Sequence, residues 1–309
     1  MNLNTESPNS NSSNLTALSS IEFVNLFIHE DKTVWLALEQ AQTQIARVID
    51  KITEQFNKYD YLASFNPKNP ELYYGPRIFY VGAGTSGRLG VLDAVECLPT
   101  FSTHPDMIQG IIAGGETAMF RAIEGAEDNE QEGFDTIESK ITNQDIVIGI
   151  SASGSAPYVI GALKAAREKG SITISIANNP SAKIFTLSDE KILLDTGSEI
   201  LSGSTRLKAG TSQKICLNII STGLMVKLGK TYNNLMVDLQ ATNAKLVARA
   251  KNLTQLITQA SDNEVSEALI SSNYRVKHAV LKILKNLNFE EADLALKRHK
   301  GFLVNCINE

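Results

Sequence analysis

The sequence predicts an α/β fold: a parallel sheet with helices packed on both faces. Three observations lead there. Five short apolar runs, Ile78–Val81, Met107–Ala113, Ile146–Ile150, Ile172–Ile176 and Ile192–Leu194, alternate with stretches of helical periodicity. Each of the first four runs ends in a turn of small residues: GAGTSG, GGE, SASGSAP and ANNPSA. Strands that alternate with helices form parallel sheets with right-handed crossovers. Ligands in such sheets sit beyond the carboxyl ends of the strands, and that is where all four turns fall.

The elements follow in order. Residues 1–20 are polar, with no charged-then-apolar leader pattern, and read as a mobile arm. From Ile21 to about Lys58, Val34, Leu36, Leu38, Ile45, Val48, Ile49 and Ile52 recur at intervals that line one side of a helix. Residues 59–76, rich in Pro, Asn, Gly and Tyr, read as a connector. After the strand–helix region a long helix is expected from Thr205 to about Leu228, then a break at Gly229 and a further helical stretch over 233–251. Residues 262–309 read as a small helical appendage. Asp262 heads one of its helices and Asn288 caps another, with Leu281, Ile283, Leu284, Leu287, Leu294 and Leu296 in its core. The expected divisions are an arm and helix over 1–58, a ligand-binding domain over 70–233 and a helical region over 234–309.

Composition narrows the function. The 309 residues are 43% hydrophobic, enough for a sizeable core, and carry a net charge of −5. No Lys/Arg run stands out, which argues against nucleic acid as the main partner. No apolar run reaches the ~18 residues of a membrane span. Cys97, Cys216 and Cys306 are far apart and form no CxxC pair, as expected of reduced thiols in the cytoplasm. His29, His104, His278 and His299 lack metal-ligand spacing, so no metal is expected.

Four segments carry candidate chemistry. Gly82-Ala83-Gly84-Thr85-Ser86-Gly87 fits the GxGxxG spacing of dinucleotide sites. A ribose-holding acid at the end of the next strand, about 20 residues on, is missing; the first acid after that strand is Glu116. Two hydroxyls beside free N–H groups at a helix start suit a terminal phosphate monoester instead. The bland alternative is a tight turn that uses glycine only for backbone freedom. Ser151-Ala152-Ser153-Gly154-Ser155 precedes a helix beginning near Pro157, and two such loops suggest one shared phosphate cradle. Among the carboxylates, Glu96 lies late in the helix opened by the first loop, just before Leu98-Pro99 is expected to stop it. Glu116, Glu124 and Glu127 follow Gly114-Gly115 on an expected helix, where Glu124 and Glu127 share a face. Spacing does not choose between Glu124 and Glu127, and any one of these acids is by default a solvated surface charge. In Ser202-Gly203-Ser204-Thr205-Arg206-Leu207-Lys208, the small residues and cations contact a phosphate or sugar, or else Ser204 or Thr205 simply caps the helix.

With these residues in view, the chain resembles the N-acetylmuramic acid 6-phosphate etherase family of the sugar isomerase (SIS) superfamily. The resemblance rests on EDKTV at 30–34, GAGTSGRLGVLDAVEC at 82–97, IAGG at 112–115, AIEGAED at 122–128, GSTRLKAGTSQK at 203–214 and NLMVDLQATNAKL at 234–246. It implies a five-stranded parallel sheet sandwiched by helices, a small C-terminal helical region and a homodimer. It also implies a cofactor-independent lyase that splits the C3 lactyl ether of N-acetylmuramate 6-phosphate. The family's two catalytic glutamates fall on Glu96 and Glu127. The expected binding set is Gly84, Thr85, Ser86, Gly87, Ser151, Ser153, Gly154, Ser155, Ser204 and Lys208. The resemblance further implies that Glu96 is the acid for the departing lactate and Glu127 the C2 base. Such an acid needs burial to stay protonated near neutral pH. The chain departs from the family at Ser155-Ala156, where Arg-Thr is usual, and Ser155 or Ser151 is expected to compensate. Leu98 replaces a usual Pro. At the N-terminus, Thr5-Glu6, Asn9, Ser12 and Leu18-Ser19 echo the family's opening pattern, which weighs against reading the arm as mere disorder. Two other classes share the fold: a non-catalytic sugar-phosphate sensor and an aldose–ketose isomerase. No basic helix-turn-helix pattern supports the first, and the second needs no acid at C3.

Overall fold

Five strands, β1 (Ile78–Gly82), β2 (Ile108–Ile112), β3 (Ile146–Ser151), β4 (Ile172–Ala177) and β5 (Glu190–Leu193), pair in the order β2-β1-β3-β4-β5. Every pairing is parallel, with Ile78 level with both Ile108 and Ile146. The structure, a computed structural model, describes residues 4–59, 61, 72–241 and 243–309. Much of the connector expected at 59–76 lies outside the described residues. Where helices cross the sheet most closely the strands carry glycine. A Cβ on Gly149 would come within 2.8 Å of Val159, and one on Gly110 within 2.4 Å of the Val91 Cα. The α/β sheet expected from the sequence is therefore present, with strand limits close to the apolar runs.

The chain divides into two compact units. The first comprises residues 1–59, 75–95 and 106–220, and holds the sheet. Its core includes Phe79, Val81, Ile137, Val147, Tyr158 and Leu163. Three helices precede the sheet: α1 (Ser20–Glu30), α2 (Lys32–Gln40) and α3 (Gln42–Lys58), with breaks at Asp31 and Ala41 inside the stretch that periodicity joined. Next come α4 (Gly84–Phe101), which from Glu96 on belongs to the second unit, the single turn α5 (Thr117–Phe120), α6 (Glu130–Glu138), α7 (Pro157–Glu168) and α8 (Lys208–Lys227), which from Ser221 on does the same.

The second unit comprises residues 60–74, 96–105 and 221–309. Its helices are α9 (Ala244–Thr258), α10 (Asp262–Ser271), α11 (Val276–Lys285), α12 (Phe289–Arg298) and α13 (Leu303–Asn308), around Val237, Leu253, Val265, Leu269, Val280 and Leu303. Asn288 caps α12 as expected, accepting from the Glu291 N–H. At the centre of the unit the buried Lys277 ammonium donates to the carbonyls of Gly229 and Gly301 and to Asp238, at 2.7, 2.9 and 2.8 Å.

Four local expectations are corrected. Pro99 does not stop α4, which runs on to Phe101, although proline has no N–H to give the Val95 carbonyl one turn back. Residues 116–128 are not one helix. The backbone turns extended at Arg121, Gly125 takes φ +73°, and only a 3₁₀ turn, Ala126–Asp128, follows. Glu124 and Glu127 therefore share no helix face. Residues 233–241 are not helical either; Tyr232 and Leu235 form an antiparallel bridge, and Asn243 caps α9. The described part of the arm is ordered rather than mobile. Short 3₁₀ turns at Asn4–Glu6, Ser10–Ser12 and Leu15–Ala17 bring Thr5 into a buried position. Polar side chains fix the arm by finding partners far along the chain.

Candidate active site

The first loop leaves β1 and enters α4 within two residues. Gly84 takes φ +52° at the helix start, and the Gly87 N–H bonds the Ala83 carbonyl at 3.3 Å. A Cβ on Gly87 would lie 2.7 Å from the Gly82 carbonyl oxygen, so the glycine spacing serves this tight join. The N–H groups of Gly84, Thr85 and Ser86 are first-turn donors with no acceptor inside the helix. That is an anion-binding end by its dipole and its free donors.

Ser86 is buried and its proton is already spent. Its hydroxyl donates to Gln213 Oε1 at 2.8 Å, Gln213 Nε2 donates to Asn178 Oδ1 at 2.8 Å, and Asn178 Nδ2 donates to the Leu194 carbonyl at 2.8 Å. A carbonyl can only accept, so it fixes the amide of Asn178, which in turn fixes the amide of Gln213 and the donor role of Ser86. Ser212 extends the relay, accepting from Asn178 and donating to Ala209. Sequence reasoning missed Gln213 and Asn178. Gln213 lies inside the GSTRLKAGTSQK run, but nothing local ties it to a loop 127 residues away.

The second loop, after β3, keeps its hydroxyls to itself. Ser155 donates to Ser153 at 3.1 Å, and the Gly154 N–H donates to the Ser151 hydroxyl at 3.1 Å. Gly154 takes φ +70°, and a Cβ there would strike Ala182 at 2.1 Å. Pro157 opens α7 as expected. At the end of β4, Asn179 is buried and its Nδ2 has no hydrogen-bond partner, a vacant donor that the ANNPSA turn did not advertise.

The carboxylates are placed as follows. Glu127 sits in the 3₁₀ turn after β2 with its side chain exposed. Ile123 and Ala126 of that segment pack over Gly114, just past the carboxyl end of β2. Glu96 lies on α4 and is exposed beside exposed Val95, so the burial expected of an acid is not supplied by the single chain.

Ser204 is half-buried just before α8 but does not cap it. The cap is the fully buried Glu199, whose carboxylate accepts the N–H groups of Lys208 and Ala209 at 3.0 and 2.9 Å. Burial raises the pKa of Glu199 against those bonds. Lys208 is 2% exposed, and its ammonium is bound to Glu30 at 2.9 Å. Asn9 and Asn11 of the arm donate to the same carboxylate at 2.6 and 2.8 Å. Burial pushes the Glu30 carboxyl up, but the bonds from Asn11, Lys208 and Asn9 outweigh it and hold it below the ordinary value. Among the described residues no three His, Cys, Asp or Glu side chains converge on a metal-sized point, and no helix is long and apolar enough to cross a membrane.

A parallel five-stranded sheet with hydroxyl-bearing turns and free helix-start donors at its carboxyl edge defines the class: a sugar isomerase (SIS) domain. The SIS domain model matches residues 127–220, and the model of the glucokinase regulatory protein N-terminal SIS domain matches 68–167. Residues 233–300 match the C-terminal lid domain of glucokinase regulatory protein. A phosphoheptose isomerase structure from Francisella tularensis shares the fold, with a TM-score of 0.51 at 12% identity over 68% of this chain and 100% of that one. Sequence relatives narrow the class. An N-acetylmuramic acid 6-phosphate etherase of Clostridium beijerinckii is 44% identical over 100% of this chain and 96% of its own length. That of Crocosphaera subtropica is 48% identical over 97% of this chain and 93% of its own. The chain belongs to the N-acetylmuramic acid 6-phosphate etherase family.

Proposed function

We propose that the chain is a carbon–oxygen lyase that cleaves the C3 D-lactyl ether of N-acetylmuramic acid 6-phosphate, giving N-acetylglucosamine 6-phosphate and D-lactate. The observation that carries this reading is the full-length likeness to etherases. Glu127 takes the C2 proton of the open-chain sugar, acidified by the C1 aldehyde. The electron pair forms the C2–C3 double bond, and the C3–O bond breaks as Glu96 protonates the departing lactate. Water then adds at C3 and a proton returns to C2. No redox step arises, so none of this needs a cofactor.

The phosphate sits on the N–H groups of Gly84, Thr85 and Ser86, with the hydroxyls of Thr85, Ser151, Ser153 and Ser155 around it. Gly87 and Gly154 let the backbone approach. Ser155 supplies a hydroxyl where the family has an arginine. Ser204 faces the sugar in this reading. Lys208 acts through Glu30, holding the arm to the start of α8. Residues 70–233 form the sugar-phosphate-binding domain and 234–309 a helical region, in keeping with the SIS and lid matches. The enzyme works in the cytoplasm as a homodimer, a state supported by α1, which exposes Ile21, Phe23, Val24 and Ile28 and buries only Glu30.

One assay tests the reaction. The protein is given N-acetylmuramic acid 6-phosphate and D-lactate is measured. Release of lactate with N-acetylglucosamine 6-phosphate is the expected result. A ketose product without lactate would make it an isomerase, and binding without turnover would make it a sensor.

A further inference from the structure

Resting on the etherase reading of the site, we infer that Arg88 is its specificity-determining cation. The Arg88 guanidinium takes the carboxylate of the substrate's lactyl group, the one charged group that the substrate has and the sugar-phosphate product lacks.

The proposed substrate carries two anions. Its phosphate has partners in the N–H groups and hydroxyls of the two loops. Its lactyl carboxylate needs partners of its own, because a carboxylate that leaves water requires an opposite charge and hydrogen-bond donors. Arg88 stands one turn into α4, in the first unit, directly after Gly87. A Cβ on Gly87 would come within 2.7 Å of Ile112 Cγ1, so this turn of the helix lies over the end of β2. From there the Arg88 Nε–H donates to the Met119 carbonyl at 3.1 Å. Met119 belongs to the segment that follows β2 and leads to Glu127. Arg88 thus links the helix of the phosphate loop to the segment of the C2 base.

This tether prepares the guanidinium. Its Nε–H is spent on a backbone carbonyl, which orients the group, and its two Nη amino groups have no bond among the described residues. Side by side they form the planar fork that matches the two oxygens of a carboxylate. Arg88 is half-buried, so a pair formed there is screened less than one in open water. The other cations on the loops at this edge of the sheet lack that preparation. Lys208 is bound to Glu30, and Arg121, Lys183 and Arg206 are exposed, with no side-chain bond among the described residues to aim them.

The span of the substrate fits. Arg88 is four residues beyond Gly84 on α4, about 6 Å of rise. In the substrate the phosphorus lies no more than about 8 Å from the C3 oxygen at ordinary bond lengths, and the carboxylate carbon stands two bonds beyond that oxygen. A phosphate on the helix start therefore leaves the carboxylate within reach of a long side chain one turn along.

Two comparisons test this. Arg88→Gln is expected to raise KM for N-acetylmuramic acid 6-phosphate roughly 30-fold, while the inhibition constant of N-acetylglucosamine 6-phosphate changes less than ~3-fold. Arg88→Lys keeps the charge without the fork and is expected to fall between Arg88→Gln and wild type. A rise of both constants by one factor overturns the inference and leaves Arg88 as a tether for the Met119 segment; no rise in either overturns it as well. The second comparison uses the substrate with its lactyl carboxylate made a carboxamide. Wild type is expected to bind this analogue roughly 30-fold more weakly than the acid, and Arg88→Gln to bind the two alike. Equal binding of acid and amide by wild type overturns the inference without recourse to any variant. A wild-type protein that releases no lactate overturns the etherase reading itself. One that releases lactate, with the preference for acid over amide unchanged in Arg88→Gln, overturns only the role of Arg88.

Discussion

In the first loop the serine proton points inward. Ser86 gives it to Gln213, and the relay through Asn178 ends on a backbone carbonyl that cannot reverse it. In the second loop the hydroxyls of Ser151, Ser153 and Ser155 bond one another and the loop's own N–H groups, and Ser153 and Ser155 are half-buried. Both loops look alike in the sequence, as small residues and hydroxyls after a buried strand. They differ in what an incoming phosphate can take. The first offers backbone N–H groups on a side-chain frame that is already satisfied. The second offers hydroxyls whose present bonds are weak and exchangeable. A rigid anion-binding end faces an adaptable one.

Cutting the relay should have the largest effect. Gln213→Leu leaves buried Asn178 Oδ1 and the Ser86 hydroxyl without partners, and stability is expected to fall by roughly 3 kcal/mol in urea unfolding. A loss under ~1 kcal/mol would mean that the first loop is not held in this way. Removing the exchangeable hydroxyls comes next. Ser153→Ala with Ser155→Ala should raise KM roughly 10-fold or more through lost contacts to a charged phosphate, with stability nearly unchanged. An unchanged KM would remove the second loop from the cradle. Ser86→Ala should act the other way round, losing about 1 kcal/mol of stability and raising KM less than ~3-fold. If its KM rose as far as that of the double variant, the Ser86 proton would be going to the substrate.

The smallest expected effect is a pH response. The relay consists of amides and hydroxyls, which do not titrate, so the first loop should be indifferent to mild acid. The arm is held by Glu30, whose folded pKa lies below its ordinary value of 4.5. Its contribution to stability is therefore complete above pH 4.5 and is lost as the pH falls through the folded value. Hydrogen exchange at residues 4–18 should quicken in that acid range while the amides of α4 stay protected. Glu30→Gln should remove the pH dependence. An arm that loosened equally in both proteins would place the titrating group elsewhere.

Much of this molecule was legible in the sequence because its signals are local. Apolar runs of strand length bounded by small-residue turns located all five strands, and strand–helix alternation made the sheet parallel. Glycine spacing found the tight join of β1 to α4, and hydroxyls beside it pointed to a phosphate. Motif likeness, not spacing, singled out Glu127 from Glu124, and the structure shows why spacing could not: Gly125 breaks the helix that a shared face would need. Tertiary structure decided what depends on distant partners. It clamped the polar arm onto Glu30, 19 and 21 residues from the asparagines that hold it, and gave the cap of α8 to Glu199 rather than to Ser204 or Thr205. It tied Lys208 to Glu30, 178 residues away, and turned the Ser86 proton toward Gln213. Hydrophobic periodicity and turn chemistry are read from neighbours along the chain, whereas a buried polar group must find its partner wherever the fold has brought one.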